Sequence, residues 1–377
     1  MNQLRQIFTF LGRWLLYLAM ASGNAGAWAQ IIIGQSTGLT GQVASGVAEN
    51  LVGARLYFDM VNRQGGVAGR KIELRTLDDG FDPERAAANA LLLAQDPKVI
   101  ALFLSRGTPH SLAMVPILRQ FKIPLVAPSS GAMSLRAPSD PWIFNVRSPY
   151  QLEAQAAIHH LLTVGSRRVA LLYPDDSFGR DALEGARQEL SKSGLSPLIE
   201  LGFPRDQPDQ KAFLLKVAAL QPEGVLFIGS EQAVATGIQF LRSAGYGRTV
   251  ITLSNNASAG FIRSLGNMQT GVIVTQVFPS DHAITYPIVA ELQQAARGGN
   301  AGPLTPSMME GYVAAKVLVE GLRRAAPDFS RARLTKALES LGTFDLGGIE
   351  LQYAPGDHTG LHFVDLAIIS ADGHFRR

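Results

Sequence analysis

The 377-residue chain contains no cysteine. That excludes disulfides, thiolate metal sites, a cysteine nucleophile and a lipid-carrying cysteine at a processed terminus. Charge is sparse too: Asp, Glu, Lys and Arg make up 17% of residues, against 46% apolar. The 34 basic and 31 acidic side chains nearly balance, and two of the bases, Arg5 and Arg13, precede every acid. This balance gives no polybasic signature for nucleic acid or for an anionic membrane. Long apolar runs are missing as well. The stretch Trp14–Ala21 is shorter than the roughly 18 residues that a membrane span requires. Neither a Walker A loop nor a G-x-G-x-x-G loop occurs, so no nucleotide or dinucleotide site is signalled. Catalytic groups converge in space rather than in sequence, so these absences do not by themselves exclude an enzyme.

What is present begins with a leader. Arg5 and Arg13 supply a positive start, Trp14–Ala21 a short apolar run, and Ala27-Trp28-Ala29 fits the small-x-small rule for cleavage. Residues 1–29 are therefore expected to be a signal peptide; the other reading, an uncleaved anchor, is disfavoured because Gly12 and Arg13 interrupt the apolar stretch. The mature chain would start at Gln30, lie in the periplasm and have no stable membrane insertion. From residue 31 to about 276, strand-like and helix-like segments alternate. Strands are predicted at Ile31–Gly34, Lys71–Leu77, Val99–Leu104, Pro124–Ala127, Trp142–Val146, Arg168–Tyr173, Gly224–Ile228, Thr249–Leu253 and Gly271–Gln276. Several are short apolar runs without strict alternation, as in parallel strands covered on both faces. Leu51, Ala54, Phe58 and Val61 recur at three- and four-residue spacing and form one buried helical stripe. Asp82 and Pro83 read as the N-cap and first residue of the next helix. The rhythm implies right-handed crossovers and doubly wound parallel sheets. After 276, three helices are predicted (Ile284–Arg297, Ser307–Ala326, Arg331–Leu341), then a β-rich tail (Ile349–Tyr353, Leu361–Ser370). The length is too great for one ordinary core, and composition suggests a cut near Ser148-Pro149.

The block Gly34–Asp79 holds a strand end, a Gly/Ser/Thr loop, a long amphipathic helix, a Gly-Gly-Val-Ala-Gly turn and a second strand. It resembles the opening of the type I periplasmic solute-binding proteins, the leucine/isoleucine/valine-binding family of ABC importers. Ile123–Pro128, Phe144–Pro149, Arg168–Gly179 and Gly271–Thr275 carry the resemblance across nearly all of residues 30–373. It implies an α/β fold of two doubly wound parallel-sheet lobes joined by a three-strand hinge, crossing near Arg147–Pro149, Val277–Ser280 and His362–Val364. Lobe one would be 30–147 plus 280–362, and lobe two 148–279 plus 363–377. The resemblance further implies capture of a small-molecule ligand between the lobes, no covalent chemistry, no cofactor, and delivery to ABC permease and ATPase subunits. A monomer is expected. Two other readings are a periplasmic sensor that hands its bound state to a membrane receptor, and a periplasmic hydrolase. A co-purifying permease would mark the importer, and turnover of the ligand the hydrolase.

Open α/β sheets bind ligands beyond the C-terminal ends of their strands. Those loops are Gln35–Ser45, Ser105–Thr108 and Pro128–Gly131 in one lobe, and Pro174–Phe178, Gly229–Glu231 and Ser254–Asn256 in the other. In Ser105-Arg106-Gly107-Thr108-Pro109, a permissive glycine, a capping threonine and a first-turn proline predict a helix start. The N–H groups of His110 and Ser111 would then face a carboxylate. An ordinary capped helix would carry the same residues. Arg106 reads either as a charged contact to a ligand acid or as a solvated loop arginine. The resemblance gives this loop the ligand carboxylate, and gives Ser129 and Ser130 its carboxylate and amino groups. It makes Phe178 the aromatic that closes over the ligand, and puts Ser230 at a commonly aromatic wall. Where the family often carries a glutamate for the ligand ammonium, this chain has Ser254-Asn255-Asn256. Either Glu231 or Asp175 replaces that acid, or the ligand lacks an ammonium. The expected ligand is a small amino acid, of the branched-chain class by resemblance, or other small organic carboxylate or amide. The expected binding set is Arg106, Gly107, Thr108, Ser129, Ser130, Phe178, Ser230, Glu231 and Asn255. No metal site is expected: His159 and His160 diverge on a helix, His358 and His362 stand four apart in a β-rich tail, and Asp78–Asp82 lacks calcium-loop spacing.

Overall fold

Strand β1 (Ile31–Thr37) turns Ile31 and Ile33 to one face of a sheet and Ile32 to the other, both faces buried. The computed structural model that shows this describes residues 30–205, 211–299 and 301–376. The leader reading falls on residues 1–29, outside the described residues. After β1 come α1 (Ala44–Arg63), β2 (Ile72–Asp78), α2 (Pro83–Gln95), β3 (Val99–Phe103), α3 (Thr108–Phe121), β4 (Leu125–Val126) and β5 (Ile143–Phe144). The five strands form one parallel sheet in the order β2-β1-β3-β4-β5. Helices α2 and α3 cover one face through Ala86, Ala90, Leu93, Met114 and Leu118. Helix α1 lies on the other through Ala54, Phe58 and Val61, members of the stripe read from spacing. Asp82 caps α2 by accepting the Arg85 N–H, with Pro83 next to it.

A second βα series follows: α4 (Tyr150–Thr163), β6 (Val169–Pro174), α5 (Ser177–Lys192), β7 (Ile199–Phe203), α6 (Lys211–Leu220), β8 (Gly224–Phe227), α7 (Glu231–Ser243), β9 (Thr249–Thr252), α8 (Ala259–Leu265) and β10 (Val272–Gln276). The chain then returns to the first sheet. Helices α9 (Pro287–Gly299), α10 (Pro306–Ala325) and α11 (Arg331–Glu339) share a core with β1, β3 and α1. The hairpin β11 (Gly342–Asp345) with β12 (Glu350–Tyr353) follows. Strands β13 (Asp365–Ile369) and β14 (Phe375–Arg376) close the second sheet, whose order is β14-β13-β10-β9-β8-β6-β7. The two sheets with their helices are lobes one and two.

Strand β7 is absent from the sequence expectation. It is an edge strand, mostly half-buried, and Ile199-Glu-Leu-Gly-Phe203 lacks the continuous apolar character of the central strands. The tail strand β13 is shorter than Leu361–Ser370 and runs antiparallel to β10, so lobe two is parallel only from β7 to β10. Among the described residues, no helix is long and apolar enough to cross a membrane.

Candidate functional site

Both sheets share one winding order. Lobe one runs β2-β1-β3-β4-β5, and lobe two, from its β7 edge, runs β7-β6-β8-β9-β10. In each, the chain leaves one central strand toward one side and its neighbour toward the other. A crevice therefore opens beyond the C-terminal ends of β1 and β3, and another beyond β6 and β8. The two crevices face each other. Ser230 Oγ donates to Gln42 Oε1 at 2.8 Å, and Gln42 Nε2 donates to the Arg205 carbonyl at 3.4 Å. Arg106 Nη2 donates to the Asn255 carbonyl at 2.6 Å.

Arg106 follows β3 and is only 3% exposed, so it is a cleft residue and not a solvated one. Its Nη1 donates to Ser129 Oγ at 3.0 Å. Ser129 Oγ donates onward to Glu310 Oε1 at 2.8 Å. Gly107 adopts φ 94° and holds the N-cap position of α3, a conformation that glycine reaches without cost. Thr108 is thus the first helical residue, not the cap. The expected cap moves by one residue because the glycine makes the turn. The Ser111 N–H is likewise not free to face a ligand, since it donates to the Gly107 carbonyl at 3.0 Å. Thr108 Oγ1 instead shares a 2.8 Å hydrogen bond with Ser130 Oγ, both residues fully buried.

From lobe two, Phe178 lies in the first turn of α5, buried against Tyr150 with ring centroids 4.7 Å apart. The Arg205 guanidinium stands 5.6 Å from the Phe178 ring and 5.3 Å from the Phe81 ring of lobe one. One cation is therefore flanked by an aromatic from each lobe. Asp176 caps α5 by accepting the Phe178 and Gly179 N–H groups, while Asp175 is exposed and paired with Arg180 at 2.8 Å. Of the two acids considered for the ligand, only Glu231 faces the cleft. It is 4% exposed, accepts from Ser45 Oγ at 2.5 Å and from Ser258 Oγ at 3.2 Å, and lies 4.0 Å from Arg106 Nη2. Burial pushes its carboxyl up, against the pull of Arg106 and the two serines. Asn255 donates Nδ2 to the Gly229 carbonyl at 2.8 Å, and its Oδ1 is buried without a partner.

Sequence reasoning missed the floor of this cleft. Arg147, 1% exposed, donates to Glu153 Oε1 at 2.8 Å and to Ser254 Oγ at 2.5 Å, and reaches Glu310 Oε1 of lobe one at 3.5 Å. Glu153 also accepts from the Ser254 N–H at 2.9 Å and from Thr275 Oγ1 at 2.5 Å. Burial works against the charge on Arg147, yet Tyr150, Glu310 and Glu153 hold its pKa above that of an ordinary arginine. A signal did exist. Glu310 interrupts the apolar series Met308-Met309 and Tyr312-Val313, and Glu153 lies on the buried stripe of Ala154, Ala157 and Ile158. A charge on a buried stripe needs a partner.

The spacing Gly34-Gln-Ser36-Thr-Gly38 has the form of a nucleophile elbow. Ser36 nevertheless lies within β1, not on a strand-to-helix turn, and its hydroxyl is bonded to Asp79 and Asn89. Among the described residues, no group of His, Cys, Asp and Glu is arranged to hold a metal. His358 is buried with Nδ1 3.0 Å from the Ile143 carbonyl and stacks on Phe144, while His159 is exposed beside Glu189.

The periplasmic binding protein family model matches residues 30–374. The Leu/Ile/Val-binding protein homolog 3 of Brucella melitensis is 24% identical over 318 residues, 83% of this chain and 84% of that protein. A possible leucine/isoleucine/valine-binding protein from Rhodopirellula baltica superposes with a TM-score of 0.88 at 26% identity, covering 94% of this chain and 98% of its own. A substrate-binding periplasmic protein from Ralstonia solanacearum gives 0.85 at 28% identity, covering 92% and 99%. With its two opposed switch-point crevices and this match over nearly its whole length, the chain belongs to the type I periplasmic binding proteins of the leucine/isoleucine/valine-binding family.

Proposed function

We propose that this protein is the extracytoplasmic substrate-binding component of an ABC importer. It closes two hinged lobes on one small amino acid or other small organic carboxylate or amide. The observation that carries this reading is the pair of facing crevices lined by buried polar groups from both lobes. Lobe one brings Arg106, Gly107, Thr108, Ser129 and Ser130, and lobe two brings Phe178, Ser230, Glu231 and Asn255. Arg106 is the cation for a ligand acid. Glu231 is the anion for a ligand amine, in place of the exposed Asp175. The unpartnered Asn255 Oδ1 is an acceptor suited to a ligand N–H.

On this reading lobe one is 30–147 plus 280–362 and lobe two is 148–279 plus 363–377. Residues 1–29 direct export and are removed, and the mature monomer works in the periplasm. It binds and releases its ligand unchanged, and its closed form docks on a permease driven by ATPase subunits. Purified mature protein is denatured, and whatever it releases is identified by mass spectrometry and returned to fresh protein in a calorimeter. A small acid, amino acid or amide that binds with one site per chain and is recovered intact supports the function. Conversion of that compound on incubation would overturn it.

A further inference from the structure

The two lobes exchange one carboxylate each, away from the floor of the cleft. Glu231 of lobe two reaches the start of α1, where Oε2 accepts from Ser45 Oγ at 2.5 Å and from the Gly46 N–H at 3.3 Å. Helix α1 has no capping side chain and no acid in its first turn, so that N–H is satisfied from the opposite lobe. One turn further along α1, Glu49 reaches the other way. Its oxygens accept the N–H groups of Ala259 and Gly260 of lobe two at 3.2 and 3.1 Å. Ser307 of α10 grips the same segment through its N–H and Oγ, both donated to the Ala257 carbonyl at 3.2 and 3.0 Å.

Two glycines make this approach possible. A Cβ on Gly46 would run into the Glu231 carboxylate, and a Cβ on Gly260 would run into Ser45 Oγ. Each obstacle stands in the opposite lobe, so a side chain at either place is excluded by closure and not by the fold of its own lobe.

We infer that Glu49 and Glu231 form a reciprocal clasp that sets the balance between closed and open lobes, Glu231 besides its place in the proposed ligand set and Glu49 from outside it. Glu49 lies outside the proposed ligand set, so its effect is not that of a lost ligand contact. Desolvation offsets much of the gain when a carboxylate is buried among donors. Burial indeed pushes the Glu231 carboxyl up. The clasp therefore holds weakly enough to release. This inference rests on the hinged reading given above.

The chain lacks cysteine, so a pair of spin labels can be placed cleanly at Glu84→Cys in lobe one and Arg180→Cys in lobe two, both exposed. Inter-label distances are then measured, after unfolding and refolding to remove any bound compound, in the labelled mature protein, in Glu49→Gln, in the Glu49→Gln/Glu231→Gln pair, and in Gly260→Val. The expected result is a longer distance in Gly260→Val. The double glutamine variant should raise the long-to-short population ratio by about tenfold, with Glu49→Gln in between. A longer distance in Gly260→Val with wild-type distances in both glutamine variants would overturn the clasp and leave the hinge standing. Unchanged distances in all variants would overturn both.

Discussion

Phe81 has two titratable neighbours that lean in opposite directions. Asp79 is fully buried, accepts the Phe81 N–H at 2.9 Å, and is pushed up to about 6 by burial. His110 stacks on the Phe81 ring at 4.3 Å and is pushed down to about 4 by burial. Between about pH 4 and 6 the folded chain keeps the Asp79 proton that the unfolded chain releases, so this residue's contribution to stability is lost as pH rises. Unfolded His110 takes up a proton over much of the same window while folded His110 does not, so its contribution is lost as pH falls. The two slopes oppose each other. Asp79→Asn keeps the side-chain shape and the acceptor for the Phe81 N–H, and removes one of these slopes. It should raise stability at pH 7.5 by up to about 3 kcal/mol, with the gain fading toward pH 4. Melting curves across that range check it, and an equal gain at both ends would refute it. At the proposed ligand loop, Thr108→Ala should weaken binding by about 1–2 kcal/mol through loss of a hydroxyl partner. Calorimetry beside a stability measurement separates this from a loss of folding. The buried cleft positions of Arg106 and Glu231 were legible because both stand just beyond strand ends. The helix position of Thr108 was not, because glycine and threonine are comparable N-caps and the string Arg-Gly-Thr-Pro does not say which of them takes that place.

Helices α1 and α10 cross with their backbones nearly in contact. A Cβ on Gly53 would meet the Met308 carbonyl, and one on Gly311 would meet the Asn50 carbonyl. These obstacles are main chain and cannot swing aside. Gly311→Ala should therefore destabilise the protein by about 1–3 kcal/mol in denaturant titrations, despite its better helix propensity. A stabilised variant would show that the helices can separate without cost. The central strands were readable because runs such as Val99–Phe103 are buried on both faces. The edge strand β7 and the hairpin strand β11 carry mixed, partly exposed side chains, so their pairing depends on neighbours that local pattern does not reveal. The direction of β13 was hidden for the same reason. Its Leu-Ala-Ile-Ile pairs equally well in either sense, and the chain path alone turns it antiparallel.

Over the whole molecule, Arg147 touches both lobes at the point where the chain first passes from one sheet to the other. Arg147→Met would leave Glu153 buried with no cationic partner at 2.8 Å. A loss of about 3–5 kcal/mol is expected, read as a fall in the denaturation midpoint. Restoration by Glu153→Gln in the same chain would identify the uncompensated charge as the cause. Composition pointed to a break near this crossing, but the later passages between sheets came only from resemblance, since no linker-like stretch marks them. Those passages govern the order of assembly. Helix α1 is covered by α10, which comes from far along the chain, and the sheet of lobe two gains its last edge from β13 and β14. Neither half can finish folding from an early portion of the polypeptide. A growing chain thus stays incomplete until almost all of it has emerged, and contacts of such long range make for slow folding. On the proposed export reading, that delay keeps the polypeptide threadable.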